Sequence, residues 1–441
     1  MADQGEQYEK SWILHHILNR FIGNRETVAV RRRMTILRDN LHNFGNHGIE
    51  WFFTGSLAEG LDMVSSDRDI MLVDTTVIVT CPFHDSNNPS DSTDRTVVVM
   101  KEADNRPGYV TLELVNPEQA HSESIMLSIV PVGDVLNISG VHTQSLAETF
   151  SSSMVETLKT VCSFPYTKWP REANEWVNRP RLHGWPEKAL RDEIVQGGCY
   201  LVHVGDISSP DTFLQWRISF TTAERKLIHS LSHTQFLIYG LLKYILKQIS
   251  DRFKQQMGEA DVLSSYIITT VIFHAVKNTP GSLWQERNTF VCFLLCLKIL
   301  IGWVHAGHCP NYFINGNNMF NGKVHGENQQ KLLSILTELH DMKWGCLSVG
   351  SVIRPTIGDR RHRVMNGAWG YPLLSPTNSE MKSDMKIFIE AFAIAMVCTP
   401  YVALALLSKS KEDIDEFVAY LTTVHALAFT GIYTLEKTYF C

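Results

Sequence analysis

The stretch Gly55-Ser56-Leu57-Ala58-Glu59-Gly60, followed by Asp67-Arg68-Asp69 and the apolar run Ile70-Met71-Leu72-Val73, constrains this 441-residue chain more than any other feature. In a strand, residues i and i+2 project from one face. Asp67 and Asp69 are therefore expected to present two carboxylates side by side, with Arg68 directed the other way. Hard divalent cations such as Mg²⁺ take oxygen ligands, commonly one or two carboxylates together with substrate phosphates. Gly55 lets the backbone approach a ligand closely, and Ser56 adds a hydroxyl beside its N–H. Either half alone is ordinary, because Gly-Ser is a common turn dipeptide. Together, feeding one apolar strand, they point to metal-dependent phosphoryl or nucleotidyl transfer.

The bulk composition excludes several classes. With 44% hydrophobic and 20% charged residues the chain is globular and long enough for two or three domains. Its net charge of −6 does not mark a globally basic nucleic-acid binder. The polar, acidic start MADQGEQYEK is no secretory signal, so a cytoplasmic protein is expected. The nine cysteines are scattered singly and read as buried thiols, Cys292 and Cys296 included. His305, His308 and Cys309 cluster but lack a fourth ligand at suitable spacing, so no structural zinc is expected. The apolar run from Ile387 to Leu407 carries Glu390 and Pro400. It reads as a buried helical hairpin with Phe417 to Tyr433 rather than a membrane span.

Periodicity predicts one long helix or two over Trp12 to Phe44, with Arg31-Arg32-Arg33 inside it. A short strand at Trp51–Phe53 leads into Gly55, and Asp67 to Val79 reads as one continuous strand. Asp85 to Asp94 and Ser139 to Ser153 read as loops. Thr96–Lys101 and Tyr109–Val115 form a hairpin, and Met154–Cys162, Cys199–Val204 and Trp216–Phe220 read as strands. Glu187 to Gln196 is a helix stopped by Gly197-Gly198. Helices then follow at Ala223–Leu231, Thr234–Phe253, Leu263–Val276, Trp284–His305 and Gln329–Asp341. Strands first and helices afterwards argue an α+β fold: a catalytic core over 1–215, a mixed twisted sheet with a long N-terminal helix; an all-helical lobe over 216–345; and a linker with a helical extension over 346–441.

Two-metal phosphoryl transfer calls for a further acidic ligand on a neighbouring strand. Glu113 and Glu156 are both candidates, and periodicity does not choose between them.

Several blocks, in order, resemble the cyclic GMP-AMP synthase and male-abnormal-21 family, most closely its invertebrate receptor branch. They are Gly55-Ser56 with Asp67-Arg-Asp69; Lys168-Trp-Pro170 with Arg171, Trp176, Arg181, Gly184-Trp-Pro186 and Gly198-Cys199; Trp216-Arg217-Ile-Ser-Phe220 with Glu224; Leu242-Lys243-Tyr244 with Ser264-Ser265-Tyr266; and Cys309-Pro-Asn-Tyr-Phe-Ile314 with Asn317-Asn318. The resemblance implies a nucleotidyltransferase fold with a helical lobe. It implies a ligand-activated enzyme that joins two nucleoside triphosphates, ATP and GTP or others, into a cyclic dinucleotide that acts on an innate immune receptor. It implies Mg²⁺ or Mn²⁺ as cofactor, with Asp67, Asp69 and Glu156 as ligands, Glu156 standing where the family usually has Asp. Gly55, Ser56, Lys243 and Ser265 fall on phosphate contacts, Tyr266 on the base-stacking position and Arg217 on an acceptor-base contact. The family's zinc insertion is absent between Ile228 and Tyr239, which favours double-stranded RNA over DNA as activator. Arg31, Arg32 and Arg33, with the Arg171, Arg179, Arg181, Lys188 and Arg191 cluster, are the candidate phosphate-backbone contacts. The alternative is a catalytically inactive member acting as a binding or scaffold protein, the direction in which Glu156 in place of Asp pushes.

Overall fold

The computed structural model describes residues 2–367, apart from 44–47, 62–67, 83–94, 104–105, 116, 118–122, 127, 141–157, 206–208, 259–261 and 321. Two helices open the chain, α1 (Ala2–Phe21) and α2 (Arg25–Asn43). Gly23 breaks them at φ +129°, where side-chain-bearing residues rarely sit. The Asn24 side-chain oxygen then accepts from Thr27 N at 2.8 Å and starts α2.

Among the described residues the sheet has ten strands: β1 (Ile49–Thr54), β2 (Arg68–Asp74), β3 (Val77–Thr80), β4 (Thr96–Glu102), β5 (Tyr109–Leu114), β6 (Ile129–Val132), β7 (Val135–Ile138), β8 (Leu158–Tyr166), β9 (Cys199–Val202) and β10 (Trp216–Ser219). Its order is β1-β2-β8-β9-β10-β5-β4-β3, with β7 joined to β5 and β6 to β7. β2 runs parallel to β8, and β3 to β4. The single strand expected up to Val79 is two. Asp74 Oδ1 accepts from Thr76 N at 2.9 Å and turns the chain out of β2. β3 leaves to pair at the far edge of the sheet.

Helix α3 is the short Gly55–Glu59 turn, and α4 is Lys188–Gln196. The helical half comprises α5 (Thr221–His229), α6 (His233–Gln248), α7 (Ser250–Met257), α8 (Ser265–Lys277), α9 (Thr289–Ala306), α10 (Gly326–Asp341) and α11 (Ile357–Met365). The helix expected over Thr234–Phe253 breaks at Ile249, between α6 and α7. α9 starts at Thr289 rather than Trp284, because Asn288 Nδ2 donates to Leu283 O at 2.8 Å and ties Leu283–Asn288 into short turns. Glu286–Ala306 is long and apolar enough to cross a membrane by length and composition alone. Phe290, Phe293, Cys296, Leu297, Leu300 and Val304 are buried along it, and it packs against α1, α6, α8 and α10 as a core helix.

The break at Gly23 lets the opening helices serve different halves. α1 packs on α6, α9 and α11, whereas α2 packs on β1 and α3. A second joint is aromatic. Phe220 stacks on Phe313 at 4.4 Å, Trp169 lies 5.2 Å from Phe220, and Trp176 lies 5.1 Å from Phe313. The Trp-Pro block and the Asn-Tyr-Phe-Ile block thus meet in one core cluster. The hairpin expected over Ile387–Tyr433 and the loop over Asp85–Asp94 lie outside the described residues, as does nearly all of Ser139–Ser153. The strand expected from Met154 is described from Leu158.

Candidate active site

The β1–β2 register sets Thr54 opposite Asp69, so the chain leaves β1 beside that carboxylate. Gly55 has φ +71°, and a Cβ there would lie 2.3 Å from Asp69 Oδ2. Only glycine fits against the acid. α3 then turns immediately and ends at Gly60, φ +93°, whose N–H bonds Leu57 O at 3.0 Å.

The turn is clamped from α2 and α5. Arg32 Nε donates to Glu59 O at 2.9 Å, and its two terminal nitrogens reach His229 O and Ile228 O, each at 3.3 Å. Arg31 is buried and donates to Ile22 O and to Gly60 O. His229 Nε2 bonds Ala58 O at 2.9 Å; a carbonyl only accepts, so the nitrogen carries the proton. Burial and the neighbouring Arg32 push this histidine down to about 4, which keeps it neutral. Arg225 bonds Asp39 Oδ2 at 2.7 Å and Phe53 O at 3.2 Å, while Asp39 Oδ1 accepts from Phe53 N, fixing the end of β1.

This overturns the reading of Arg31 and Arg32 as phosphate-backbone contacts. Their guanidinium groups are spent on the protein's own carbonyls. Arg33 is exposed and keeps that candidacy alone of the three. Arg179 and Arg181 are corrected likewise. Arg179 bonds both oxygens of Glu175 and the Tyr312 carbonyl, and Arg181 bonds the carbonyls of Trp176, Val177 and Arg179.

The turn faces a cleft of about 480 Å³ between the sheet and the helical half. Gly55, Glu59 and Asp69 line one end; Arg217, Glu224, Ser265, Tyr266, Asn311 and Asn317 line the rest. Lys243 is buried on α6, with Nζ 3.1 Å from Ser56 Oγ and 2.7 Å from Glu59 Oε2. Tyr239, one turn earlier, donates its hydroxyl to the same Glu59 oxygen at 2.9 Å.

At the other end Tyr266 hydrogen-bonds Glu224, and Asn311 Nδ2 donates to the Tyr266 hydroxyl at 3.2 Å. Desolvation pushes Glu224 up to about 7, against the pull of the Tyr266 bond and of Arg217. Desolvation and the nearby Glu224 raise Tyr266 as well.

Gly55, Asp69, Arg217, Ser265 and Tyr266 therefore line one cleft, and Lys243 is bonded to Ser56 and to Glu59 of its wall. Asp67 and Glu156 lie outside the described residues. Among the described residues no group of three or more His, Cys, Asp or Glu side chains is arranged to hold a metal. Glu113 is placed elsewhere. It pairs with Lys101 at 2.5 Å on β5, four strands from β2 in the sheet order, or roughly 19 Å at ordinary strand spacing. Leu158, two residues after Glu156 in sequence, pairs with Arg68 directly. Sequence reasoning gave no role to Glu59, Glu224 or Asn311. The signal for Glu59 was present: it follows Ser56 by three, which on a helical turn is the same side.

Comparison with known proteins agrees with this architecture. Residues 142–230 match the Mab-21 protein nucleotidyltransferase domain, and residues 238–338 the Mab-21 protein HhH/H2TH-like domain. Cyclic GMP-AMP synthase of Mus musculus is 26% identical over 183 residues, 38% of this chain and 34% of that protein. The Sus scrofa synthase is 28% identical over 132 residues, 27% of this chain and 26% of that protein. The chain thus spans about a third or less of the length of these curated relatives. A mixed sheet whose one-cleft site is finished by a helical half, with both Mab-21 domains in sequence order, makes this chain a cyclic GMP-AMP synthase-like member of the Mab-21 family.

Proposed function

We propose that the protein is a metal-dependent nucleotidyltransferase that joins two nucleoside triphosphates into a cyclic dinucleotide when an activating ligand, double-stranded RNA in the first instance, binds. The observation that carries this reading is the meeting of Asp69, Arg217, Ser265 and Tyr266 in the lining of a single cleft, with Lys243 bonded to Ser56 and to Glu59 of its wall. Asp67, Asp69 and Glu156 would hold Mg²⁺ or Mn²⁺; an all-carboxylate donor set suits these hard ions, and Asp69 stands at the cleft wall where Gly55 leaves it room. A cation bound there supplies charge neutralisation across phosphate oxygens.

The chain's own groups do the rest by positioning. Ser56 and Lys243 take phosphate oxygens, the lysine as a point charge. Ser265 opens α8 and offers a hydroxyl at a helix N-terminus, where anions are favoured. Tyr266 supplies an aromatic face for a base, and Arg217 a donor fork for a base edge.

The test is direct. Purified protein is incubated with labelled ATP, GTP, CTP and UTP, Mg²⁺ or Mn²⁺, and a panel of double-stranded RNA and DNA, and phosphatase-resistant products are resolved. A cyclic product that disappears in Asp67→Ala supports the proposal. No product under any activator supports a binding or scaffold protein, the reading that Glu156 in place of the family's usual Asp favours.

A further inference from the structure

Lys243 is already held by the protein's own groups. Its ammonium has three donors. Two reach Ser56 Oγ and Glu59 Oε2, and the group also lies 4.7 Å from the centroid of the Tyr239 ring. Both members of the ion pair are withdrawn from water, the Lys243 side chain 6% and the Glu59 side chain 13% exposed. Glu59 is held in turn: Tyr239 OH donates to the same oxygen, and that hydroxyl also lies 2.9 Å from Thr269 Oγ1. Glu59 stands on the cleft wall on the same helical turn as Ser56. It therefore presents to the lysine what a substrate phosphate would present, an anionic oxygen at hydrogen-bond distance.

We propose that Glu59 is an internal competitor for the substrate's phosphate: it holds Lys243 until a nucleoside triphosphate takes its place, and so sets the affinity of the site. This rests on the reading of Lys243 as a phosphate contact. The competition has a physical consequence. A polyanion entering the cleft meets Glu59 and Asp69 as like charges and gains Lys243 only by exchange, so part of each new contact replaces an old one. The neutral isostere at position 59 keeps the shape and an acceptor for Tyr239 while removing the competing charge.

The experiment is calorimetric binding of a non-reacting ATP analogue with Mg²⁺ to the full chain, with melting curves confirming that each variant is folded. Glu59→Gln is expected to lower Kd on the order of tenfold. Tyr239→Phe, which removes the second hold on Glu59 but leaves its charge, is expected to lower it by a smaller factor. An unchanged or raised Kd in Glu59→Gln overturns the proposal, since a carboxylate that merely orients Lys243 would weaken binding when neutralised. Lys243→Gln separates the two levels. If it loses binding while Glu59→Gln gains none, only the competitor role fails. If wild type and Lys243→Gln bind equally, or wild type binds nothing, the phosphate reading fails with it.

Discussion

At the proposed phosphate end, Ser56, Glu59, Tyr239 and Lys243 bond one another at 2.7–3.1 Å. At the proposed base end, Tyr266, Glu224 and Asn311 also form a chain, but its carboxyl is pushed up to about 7 by lost solvation. The first end balances a buried charge with a partner; the second balances it by keeping the acid neutral over part of the ordinary pH range. Both obey one rule, that an uncompensated charge is costly away from water. They differ in what a mutation exposes. Breaking the ion pair strands a charge, whereas changing the base end moves a protonation equilibrium.

The largest expected effect lies at Asp69, on the cleft wall beside Gly55. Asp69→Ala should lower cyclic-product formation on the order of a thousandfold or more, the scale of the charge stabilisation a held cation provides. Melting curves should show the variant still folded, because the removed carboxylate sits on the cleft wall beside a glycine. A variant that is instead unfolded would make Asp69 a structural group.

Next comes the ion pair. Lys243→Met leaves Glu59 buried without its cation and should cost about 3–5 kcal/mol in urea unfolding. Combining it with Glu59→Gln removes the stranded charge, so the double variant should recover a large part of that loss. If the double variant is as unstable as the sum of the singles, the pair is not coupled and the contrast between the two ends is wrong.

How much of this was readable from residues alone follows the same contrast. The Gly-Ser turn and the acidic pair were legible because a strand's period of two and glycine's freedom act locally; the fold then adds the reason for Gly55, a carboxylate where its Cβ would be. The Trp-Pro and Asn-Tyr-Phe-Ile blocks were legible as markers, yet their physical content is packing between the halves, which sequence distance hides. Arg31 and Arg32 were misread because a run of arginines on one helix looks solvated until the Gly60 turn and α5 arrive to cover it. Glu59 and Glu224 escaped for a related reason: a carboxylate's role depends on a partner nearly two hundred residues away or on the water it has lost.

Those arginines give the third test. Arg32→Ala removes hydrogen bonds to three carbonyls that hold the Gly55–Gly60 turn against α5, and should cost about 2–3 kcal/mol. Arg33→Ala, at an exposed site, should stay within about 0.5 kcal/mol. If double-stranded RNA is the activator and Arg33 touches it, the same substitution should reduce the salt dependence of RNA binding by about one unit of slope. Equal stability losses at Arg32 and Arg33 would contradict the clamp.

The smallest expected effect is a slope, and it probes whether the two ends feel each other. Glu224 has its carboxyl raised from the ordinary 4.5 to about 7, first by desolvation, with Glu59 raising it further and Tyr266, Arg217 and Lys243 pulling down. For an acid raised in the folded state, the unfolded chain loses its proton first. The stability it contributes is therefore full below about 4.5, falls as pH rises towards about 7, and is flat above that. One proton sets the ceiling on this slope, about 1.4 kcal/mol per pH unit. Glu224→Gln cannot ionise, so its stability relative to wild type should climb across that window and level off above it, as urea midpoints at pH 5, 6, 7 and 8 would show. Adding Glu59→Gln to the wild-type background removes a like charge, so the upper limit of the window should move down in pH. A window that stays put would mean that the ion pair at the phosphate end screens itself completely, leaving the two ends electrostatically independent.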